Sequence, residues 1–369
     1  MATWIFGIVG AASVISAAVF VVSIFQLLIM IHRRLKAGKH HVLPVASGGG
    51  TKGKESLVKG AVRGHVLSFT LQEVELLSEG FSNLIGQGST NRVYKGILSD
   101  GMEVAVKKLK QDVAECSDVE ASFRFQMELL SRVHHQHLAN LVGICDEKQE
   151  RMLLFQYAPN GTLFENLHTG DENLSWKQRM RIIVGAAYGL AYLHHLCNPP
   201  VIHGDLRSRN ILLTEDFAAK ITGLGRVPIA GSSELALVRK TGGYVDPEIV
   251  HRGVYSRAGD VFSFGVLLLE VLSGKQAFSE ETGMLVEWAQ QFLQSRDRMM
   301  DLVDKSMSNV CPMELYSVCE LARLCTQRES SSRPSMRDVS DLLVQSLAIP
   351  AEAAAPVSSP VTLRGLMEG

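Results

Sequence analysis

The feature that most constrains this chain is an uncharged apolar run at its start. Residues 1–31 contain no Asp, Glu, Lys or Arg, and the 28 residues from Trp4 to Ile31 are apolar apart from small residues and one glutamine. As a helix they would rise about 42 Å, which exceeds a hydrocarbon core of about 30 Å. A cleaved signal peptide is the alternative, but it needs a preceding basic region and an apolar stretch of only about 7–15 residues. The run therefore predicts a transmembrane helix over 4–31, with residues 1–3 as a short outside segment.

Basic residues follow this run and set its orientation. Residues 32–68 hold eight Lys or Arg and one acid, Glu55. The positive-inside rule places this side of the helix in the cytoplasm. Because three consecutive glycines at 48–50 disfavour regular structure, the segment is predicted to be a flexible basic juxtamembrane linker. It is either a solvated spacer or is attracted to the anionic inner leaflet, at about 1 kcal/mol per basic residue near the surface.

The overall charge hides this division of the chain. The formal net charge is −1, from 37 Lys and Arg against 38 Asp and Glu, and setting the linker aside leaves 29 basic and 37 acidic residues for the rest. The near-neutral sum excludes a generally basic nucleic-acid binder. The globular region extends from about residue 69 to 347. The Ala- and Pro-rich residues 348–369 are predicted to be a disordered tail.

The globular region changes character along its length. Short strand-like runs bounded by glycines, such as Val104–Lys107, come first. Helices follow: Ser175 is a good N-cap for an amphipathic helix, and Phe262–Leu272 is apolar nearly all round, so that helix is expected to be buried. This order predicts an α+β protein with a small lobe at 69–157 and a larger helical lobe at 158–347.

Two motifs in the small lobe suit phosphate binding. The loop Ile85-Gly86-Gln87-Gly88 contains glycines, which let a backbone turn approach phosphates closely. Lys107 lies shortly afterwards on a predicted strand, from which it can reach phosphate oxygens. Taken alone, such a glycine turn is usually only a hairpin, and a strand lysine is usually a solvated one, so both alternatives stay open until the later motifs are considered.

The order of the later motifs decides between these alternatives. They are His203–Asn210, Gly223–Gly225, Asp246–Glu248, Asp260 and Arg333-Pro334. Together with the glycine loop and the lysine, this set resembles the eukaryotic protein kinases, whose signatures occur in this order. Similarity to the plant receptor-like kinases in particular is carried by four runs: Leu141–Cys145, Leu193–Pro200, Thr241–Glu248 and Asp260–Gly265.

The resemblance implies a bilobal protein-kinase fold that binds ATP with Mg²⁺ or Mn²⁺. It implies that Lys107 holds the α- and β-phosphates, that Asp205 beside Arg207 orients and deprotonates the substrate hydroxyl, and that Asn210 ligates a metal ion. Phe155 is expected to guard the back of the adenine pocket. The residues implied to contact the nucleotide are Ile85, Gly86, Gly88, Val93, Ala105, Lys107, Gln156, Ala158 and Asn210.

Three departures from the kinase pattern weaken this expectation. Asn91 stands where the third loop glycine is expected. Counting along the helix of the small lobe puts Gln126 where kinases carry the glutamate that pairs with the lysine, and Glu128, two residues on, is expected to face away. A neutral Gln126 can hydrogen-bond Lys107 but cannot neutralise its charge. In the catalytic loop, Gly204 replaces the usual arginine.

A fourth departure affects the metal site. Where kinases have Asp-Phe-Gly, this chain has Gly223-Leu224-Gly225. The aspartate carries the Mg²⁺ that bridges the β- and γ-phosphates, and Gly223 offers no side-chain oxygen, so Asn210 is left as the one implied ligand. Preorganised charge contacts of this kind are typically worth about 3–4 kcal/mol, or 10²–10³ in rate. Residues implied to support packing are Leu130, Leu224, His203, Asp260 and an ion pair of Glu248 with Arg333.

These departures favour a membrane-anchored pseudokinase of the receptor-like type. The sequence predicts one pass through the plasma membrane, with the N-terminus outside and the kinase-like region in the cytoplasm. Its expected partners are the membrane, a receptor that has an ectodomain, and cytosolic signalling proteins, but not nucleic acid. The alternative is an active but slow Ser/Thr kinase that uses Lys107, Asp205 and Asn210 with a compensating metal arrangement.

Overall fold

The computed structural model describes most of the globular region. The predicted transmembrane helix at 4–31 and the linker as far as residue 65 lie outside the described residues. The end of the predicted flexible linker is corrected, because Val66 is buried and Leu67–Ser68 form a strand. Among the residues that are described, no helix has the length and apolar character needed to cross a membrane. The described ranges are 66–88, 90–110, 117–147, 150–170, 173–225 and 243–357.

The small lobe is built on a six-stranded sheet. In chain order its elements are β1 (Leu67–Ser68), α1 (Leu71–Leu77), β2 (Leu84–Gln87), β3 (Asn91–Ile97), β4 (Glu103–Leu109), α2 (Ser117–Leu130), β5 (Leu141–Glu147) and β6 (Glu150–Gln156). The strand order across the sheet is β1-β5-β6-β4-β3-β2. All neighbours pair antiparallel except β1 and β5, which are parallel. Helix α1 begins with a capping box, in which Thr70 and Glu73 satisfy each other's backbone N–H groups.

The alternation along β4 divides the sheet into two faces. Val104 and Val106 are fully buried, and they pack in one apolar cluster with Val74 of α1. Side chains two residues apart share a face of a strand. Ala105 and Lys107, which are half-buried, therefore lie together on the opposite face.

The large lobe is mainly helical. Its elements are α3 (Leu163–His168), α4 (Trp176–His195), β7 (Ile211–Leu213), β8 (Ala219–Ile221), α5 (Pro247–Arg252), α6 (Arg257–Ser273), β9 (Phe278–Ser279), β10 (Gly283–Met284), α7 (Leu285–Leu293), α8 (Pro312–Cys325), α9 (Met336–Leu347) and α10 (Ala351–Ala354). Short 3-10 helices cover Ser208–Asn210, Arg296–Leu302 and Ser330–Ser332. Ser175 caps α4 as the sequence predicts, and α6 is buried along almost its whole length. One apolar core connects Leu130, Leu141 and Leu153 of the small lobe with α4 and α6.

The start of the tail differs from the expectation of disorder beyond residue 348. Residues Ala351–Ala354 form α10, and the side chain of Ala354 is fully buried. Arg181 of α4 holds this segment because its guanidinium donates to the backbone carbonyls of Ala353 (2.9 Å) and Ala355 (2.7 Å). Contacts to backbone carbonyls leave no trace in the composition or in the hydrophobic periodicity of the tail. The composition of the tail therefore suggested disorder. Residues 358–369 lie outside the described residues.

A second expectation is corrected inside the large lobe. Arg333 forms its buried ion pair with Asp246, through distances of 2.5 Å and 2.9 Å to the two carboxylate oxygens, and not with Glu248 as expected. Glu248 instead accepts the backbone N–H of Ser330 at 2.8 Å. Asp246 is the N-cap of α5 and is 1% exposed, so its carboxylate lies in the interior with the buried Arg333. Glu248 is the second residue of the helix and is only partly buried.

Candidate nucleotide-binding cleft

The glycine loop is the hairpin between β2 and β3. Gly86 lies opposite Val93 in the pair, and the N–H of Gly88 donates to the carbonyl of Asn91 at 2.8 Å. A Cβ atom placed on Gly88 would lie 3.2 Å from Oδ1 of Asn91. The Asn91 side chain therefore packs against Gly88 and narrows the turn that a third glycine would leave open.

One face of the sheet gathers several of the predicted nucleotide contacts. Lys107 lies opposite Val93 on one side and Leu153 on the other, while Ala105 lies opposite Phe155. Residues directly opposite each other in antiparallel strands point to the same face. Val93, Ala105, Phe155 and Lys107 consequently share one half-buried face of the sheet. Lys95, which lies opposite Ala105, is on the same face and pairs with Glu103.

The connection between the lobes follows β6. Gln156 ends this strand and is exposed, whereas Ala158 is 9% exposed. The N–H of Tyr157 donates to the carbonyl of Glu103 at 3.1 Å, which ties the connection to the start of β4. Ile85, on β2, is 40% exposed. The structure thus places Gln156 and Ala158 at the lobe boundary, where the resemblance puts an adenine-binding backbone.

The catalytic loop is anchored by Asp260, as the resemblance implies. Its carboxylate accepts the backbone N–H groups of His203 and Gly204, each at 2.8 Å, and contacts Nε2 of His194 at 2.8 Å. His203 accepts the N–H of Asp205 at Nδ1 (3.2 Å), so its Nε2 carries the hydrogen that faces the carbonyl of Thr222 at 3.0 Å. These contacts fix the backbone that leads into Asp205.

Asp205 is held by its own loop. Arg207 Nη2 donates to Oδ2 of Asp205 at 3.2 Å. The side-chain amide of Asn210 donates to the same Oδ2 at 3.0 Å and to the backbone carbonyl of Asp205 at 2.7 Å. Both amide protons of Asn210 are thereby directed at one residue, and only its Oδ1 remains to act as an acceptor.

Gly223 packs directly against this amide. Its φ is +88°, in the left-handed region, and a Cβ there would lie 3.1 Å from Cγ and Nδ2 of Asn210. The residues present do not fit a magnesium site, because hard cations bind carboxylate oxygens and this position supplies one neutral amide oxygen beside a glycine. Nor do the described residues include any cluster of three or more His, Cys, Asp or Glu that could hold a metal ion.

Gln126 of α2 makes a contact that sequence reasoning did not anticipate. Its Nε2 donates to the backbone carbonyl of Leu224 at 3.0 Å, and the side chain is 9% exposed. A Cβ on Gly225 would lie 2.8 Å from Cγ of Gln126, so the glycine makes room for it. Glu128 is exposed, which confirms that it faces away from the cleft. The glutamine therefore joins α2 to the segment that follows Gly223 through a neutral hydrogen bond.

The expected hydrophobic spine is buried. Leu130, Leu224 and His203 are 5%, 3% and 2% exposed, and both leucines belong to the core that connects the lobes. The packing that supports the catalytic loop is therefore present in this chain.

A buried carboxylate under the catalytic loop escaped the sequence analysis. Glu270 of α6 is 1% exposed, and its Oε1 accepts from Ser208 Oγ (3.1 Å) and contacts His168 Nε2 (2.9 Å). Tyr244 joins this network by accepting the N–H of Ser208 at 3.2 Å. Burial raises the pKa of the Glu270 carboxyl, while His168 opposes that rise. The available signal was that Glu270 is the one charged residue in the otherwise apolar run 262–272.

Comparison with known proteins agrees with this architecture. A family model described as protein tyrosine and serine/threonine kinase matches residues 80–343. Protein MALE DISCOVERER 1 of Arabidopsis thaliana is 35% identical over 365 residues, which cover 97% of this chain and 50% of that protein. Proline-rich receptor-like protein kinase PERK8 of the same organism is 40% identical over 289 residues, which cover 73% of this chain and 42% of that protein. The chain thus spans half or less of the length of these relatives.

A solved structure is also similar. It is the apo form of a pseudokinase, with 31% sequence identity and a TM-score of 0.64, and the match covers 78% of this chain and all of that one.

Proposed function

The chain belongs to the protein tyrosine and serine/threonine kinase family, and we propose that it is a receptor-like member that binds ATP but acts mainly as a signalling scaffold or allosteric partner. Phosphoryl transfer by it is absent or weak. It is anchored in the plasma membrane by residues 4–31, with the kinase-like region on the cytoplasmic side. Support for the membrane context comes from the receptor-like name of a relative and from the apolar run itself.

One observation carries the proposal: Gly223 lies against the amide of Asn210 where a metal-binding carboxylate is needed. Phosphoryl transfer depends on positioning and on neutralising charge at the β- and γ-phosphates. Without a carboxylate at 223 a divalent ion has no anionic ligand at this position. The loss of one such preorganised contact is worth about 3–4 kcal/mol, or 10²–10³ in rate.

Nucleotide binding is supported by the residues that remain. Val93, Ala105 and Ala158 supply apolar surface beside the backbone at the lobe boundary, and Lys107 supplies a cation on the same face of the sheet. An adenine ring binds to apolar surface beside exposed backbone groups, and a phosphate group binds to a cation. Bound ATP would act in this protein as a ligand and not as an efficient phosphate donor. Lys107 would contact its phosphates, with no metal ion held at position 223.

A scaffold role is supported by contacts that need no ligand. Asp260 holds the catalytic loop, and Gln126 joins α2 to Leu224. Both sets of contacts join protein groups only, so neither depends on an atom of the nucleotide. We expect the surface of the kinase-like region to serve cytosolic signalling proteins and a membrane receptor that has an ectodomain.

The test is a thermal-shift titration of the full chain in detergent with ATP, with and without Mg²⁺. A ligand at about 100 times its Kd stabilises the folded state by about 2.7 kcal/mol. We expect equal stabilisation with and without Mg²⁺, and its loss in Lys107→Ala. The matched control is Lys108→Ala, because Lys108 lies on the opposite face of β4, where it pairs with Glu150 at 3.0 Å. Stabilisation that requires Mg²⁺ would contradict the proposal.

A slow Ser/Thr kinase is the second candidate. It is favoured by the retention of Asp205, Asn210 and Lys107 in an anchored loop and sheet. Transfer of labelled γ-phosphate to protein hydroxyls with Mg²⁺ or Mn²⁺, abolished by Asp205→Asn, would establish it. Absence of transfer beside metal-independent ATP binding would leave the scaffold function.

A further inference from the structure

A large open groove lies in the helical lobe, away from the nucleotide cleft. It is bounded by α7, the 3-10 helix Arg296–Leu302, α8 and the segment that follows α8, and its volume is about 900 Å³. This is at the upper end of the range for ligand sites, about 300–1,000 Å³. None of the residues discussed for ATP lines it, so its role is independent of the function proposed above.

The charged side chains of the groove are mostly arginines. Arg296, Arg323 and Arg328 line it, together with a single acid, Glu320. Arg323 donates through Nε to Glu320 at 2.9 Å, while Arg296 stacks over the Tyr316 ring at 4.6 Å from its centroid. Stacking restrains a guanidinium but leaves its N–H edge able to donate. The groove therefore offers an excess of two positive charges, and the stacked guanidinium of Arg296 is restrained.

The neutral lining completes a site for hydrogen-bond acceptors. Side chains of three glutamines, a serine and a threonine reach the groove, and the buried Leu293 and Met299 form its floor. Arginine forks match planar carboxylates, which accept two parallel hydrogen bonds. The chemistry of the lining thus suits an acidic ligand that also has some apolar surface.

The charge of the whole region narrows the ligand to a short segment. Residues outside the transmembrane and linker segments hold 29 basic and 37 acidic side chains, so a long polyanion such as a nucleic acid would be repelled outside the groove. An acidic peptide segment can place its carboxylates within the groove alone.

The neighbouring surface has the composition of a protein interface. Trp288 and Phe292 of α7 stack at 4.7 Å, and they carry Lys275 and Arg298 over their rings at 5.0 and 5.2 Å. With the pair in the groove, three cation–π pairs lie within residues 275–316, against about one per 70–80 residues in proteins generally. Arg, Trp and Tyr are the residues that dominate protein-binding surfaces.

We infer that this groove binds an acidic, Asp- or Glu-rich segment of a partner protein through Arg296, Arg323 and Arg328. The binding is local to the helical lobe and does not require nucleotide. It gives the scaffold a docking site whose partner is defined by its charge.

The test measures binding of a fluorescent oligoglutamate peptide to the full chain in neutral detergent by anisotropy. We expect the combined variant Arg296→Gln, Arg323→Gln and Arg328→Gln to weaken binding by about tenfold or more, because three charged donors are lost. The matched control is Arg124→Gln. Arg124 is also an exposed arginine that pairs with a glutamate one turn away, Glu120, at 2.9 Å, but it lies on α2.

Salt and competitor arms complete the experiment. The affinity of the native chain for the peptide should fall as ionic strength rises, because dissolved salt screens the attraction between exposed charges. At 0.1 M salt, exposed charges more than about 10 Å apart are already largely screened. An oligoglutamine peptide of equal length should not compete, and ATP should leave the affinity unchanged. Equal binding by the native and triple-variant chains, no binding of oligoglutamate at low salt, or tighter binding of an oligothymidylate strand would each overturn the inference. The circular dichroism of the triple variant is compared first with that of the native chain. If the triple variant is misfolded, the three single substitutions are measured instead, and their losses of affinity should add.

Discussion

The general kinase pattern and this structure make opposite predictions for the stability of the variant Gln126→Glu. That pattern predicts a gain, because glutamate at this position pairs with the strand lysine. Here the Nε2 group donates to the buried carbonyl of Leu224 at 3.0 Å. A carboxylate has no proton to donate, so Gln126→Glu sets two oxygens against each other and leaves a buried acceptor unsatisfied. We expect a loss of stability at neutral pH.

The size of the effect follows from the burial of the pair. Gln126 is 9% and Leu224 3% exposed, so water cannot readily replace the lost donor. An unsatisfied buried polar group costs about 1–3 kcal/mol. A loss of about 2 kcal/mol corresponds to a fall of roughly 4–8 °C in Tm for a domain of this order of size.

The assay is thermal unfolding of the full chain at two pH values. A neutral carboxylic acid can donate to the Leu224 carbonyl, so the deficit of Gln126→Glu should be present at pH above the pKa of the new carboxyl and shrink as the pH falls through it. Gln126→Met should keep its deficit at both values because it never gains a donor. Glu128→Gln, on the exposed side of α2, should change little. Equal or higher stability of Gln126→Glu at neutral pH would refute the reasoning and indicate an ion pair with Lys107.

Three further predictions concern the loops and the core. Gly223→Asp should lower stability by about 1–3 kcal/mol without metal, since φ is +88° and Asn210 lies 3.1 Å from the new Cβ, yet it should make ATP stabilisation respond to Mg²⁺ in thermal-shift titrations; no response to Mg²⁺ would count against the assigned metal position. Removing one partner of the buried Arg333–Asp246 pair, by Arg333→Met, should cost about 3–5 kcal/mol in urea unfolding, far more than Glu248→Gln at the expected but mistaken partner. Burial raises the pKa of Glu270 in the folded chain, so its carboxyl stabilises the folded state below its unfolded pKa, and this contribution is lost as the pH rises. Glu270→Gln should therefore gain stability relative to the native chain on going from pH 4 to pH 8. An unchanged difference in stability between the two chains would argue against the raised pKa.

The fold was predictable because its evidence is spread along the chain. Glycine loop, strand lysine, catalytic loop and Asp260 occur in a fixed order, and each has a local sequence signature. Capping is equally local, so Ser175 identified the start of α4 correctly. The exposure of Glu128 followed from helical geometry, which needs only the register of α2.

The partners of the site residues were less predictable, because they depend on distances across the fold. Leu224 as the acceptor for Gln126, and Asp246 as the partner of Arg333, lie 98 and 87 residues away in sequence. In the second case Glu248, two positions on, has the same charge, so composition could not choose between them. The contacts of Arg181 with the tail are to backbone carbonyls, which carry no sequence signal at all.

The substitutions at 126 and 223 have one physical consequence in common. A glutamate on α2 and an aspartate at 223 would each bring a negative charge to a cleft that already holds Asp205, and like charges in one site need a compensating cation. With Gln126 and Gly223 that need disappears: Asp205 is balanced by Arg207 and the Asn210 amide, and Gln126 makes a neutral hydrogen bond. The negative charge that remains at Asp205 is thus matched by groups of the chain itself. Such a cleft can stay assembled without ligand, which is the property a scaffold requires and an efficient phosphotransferase does not.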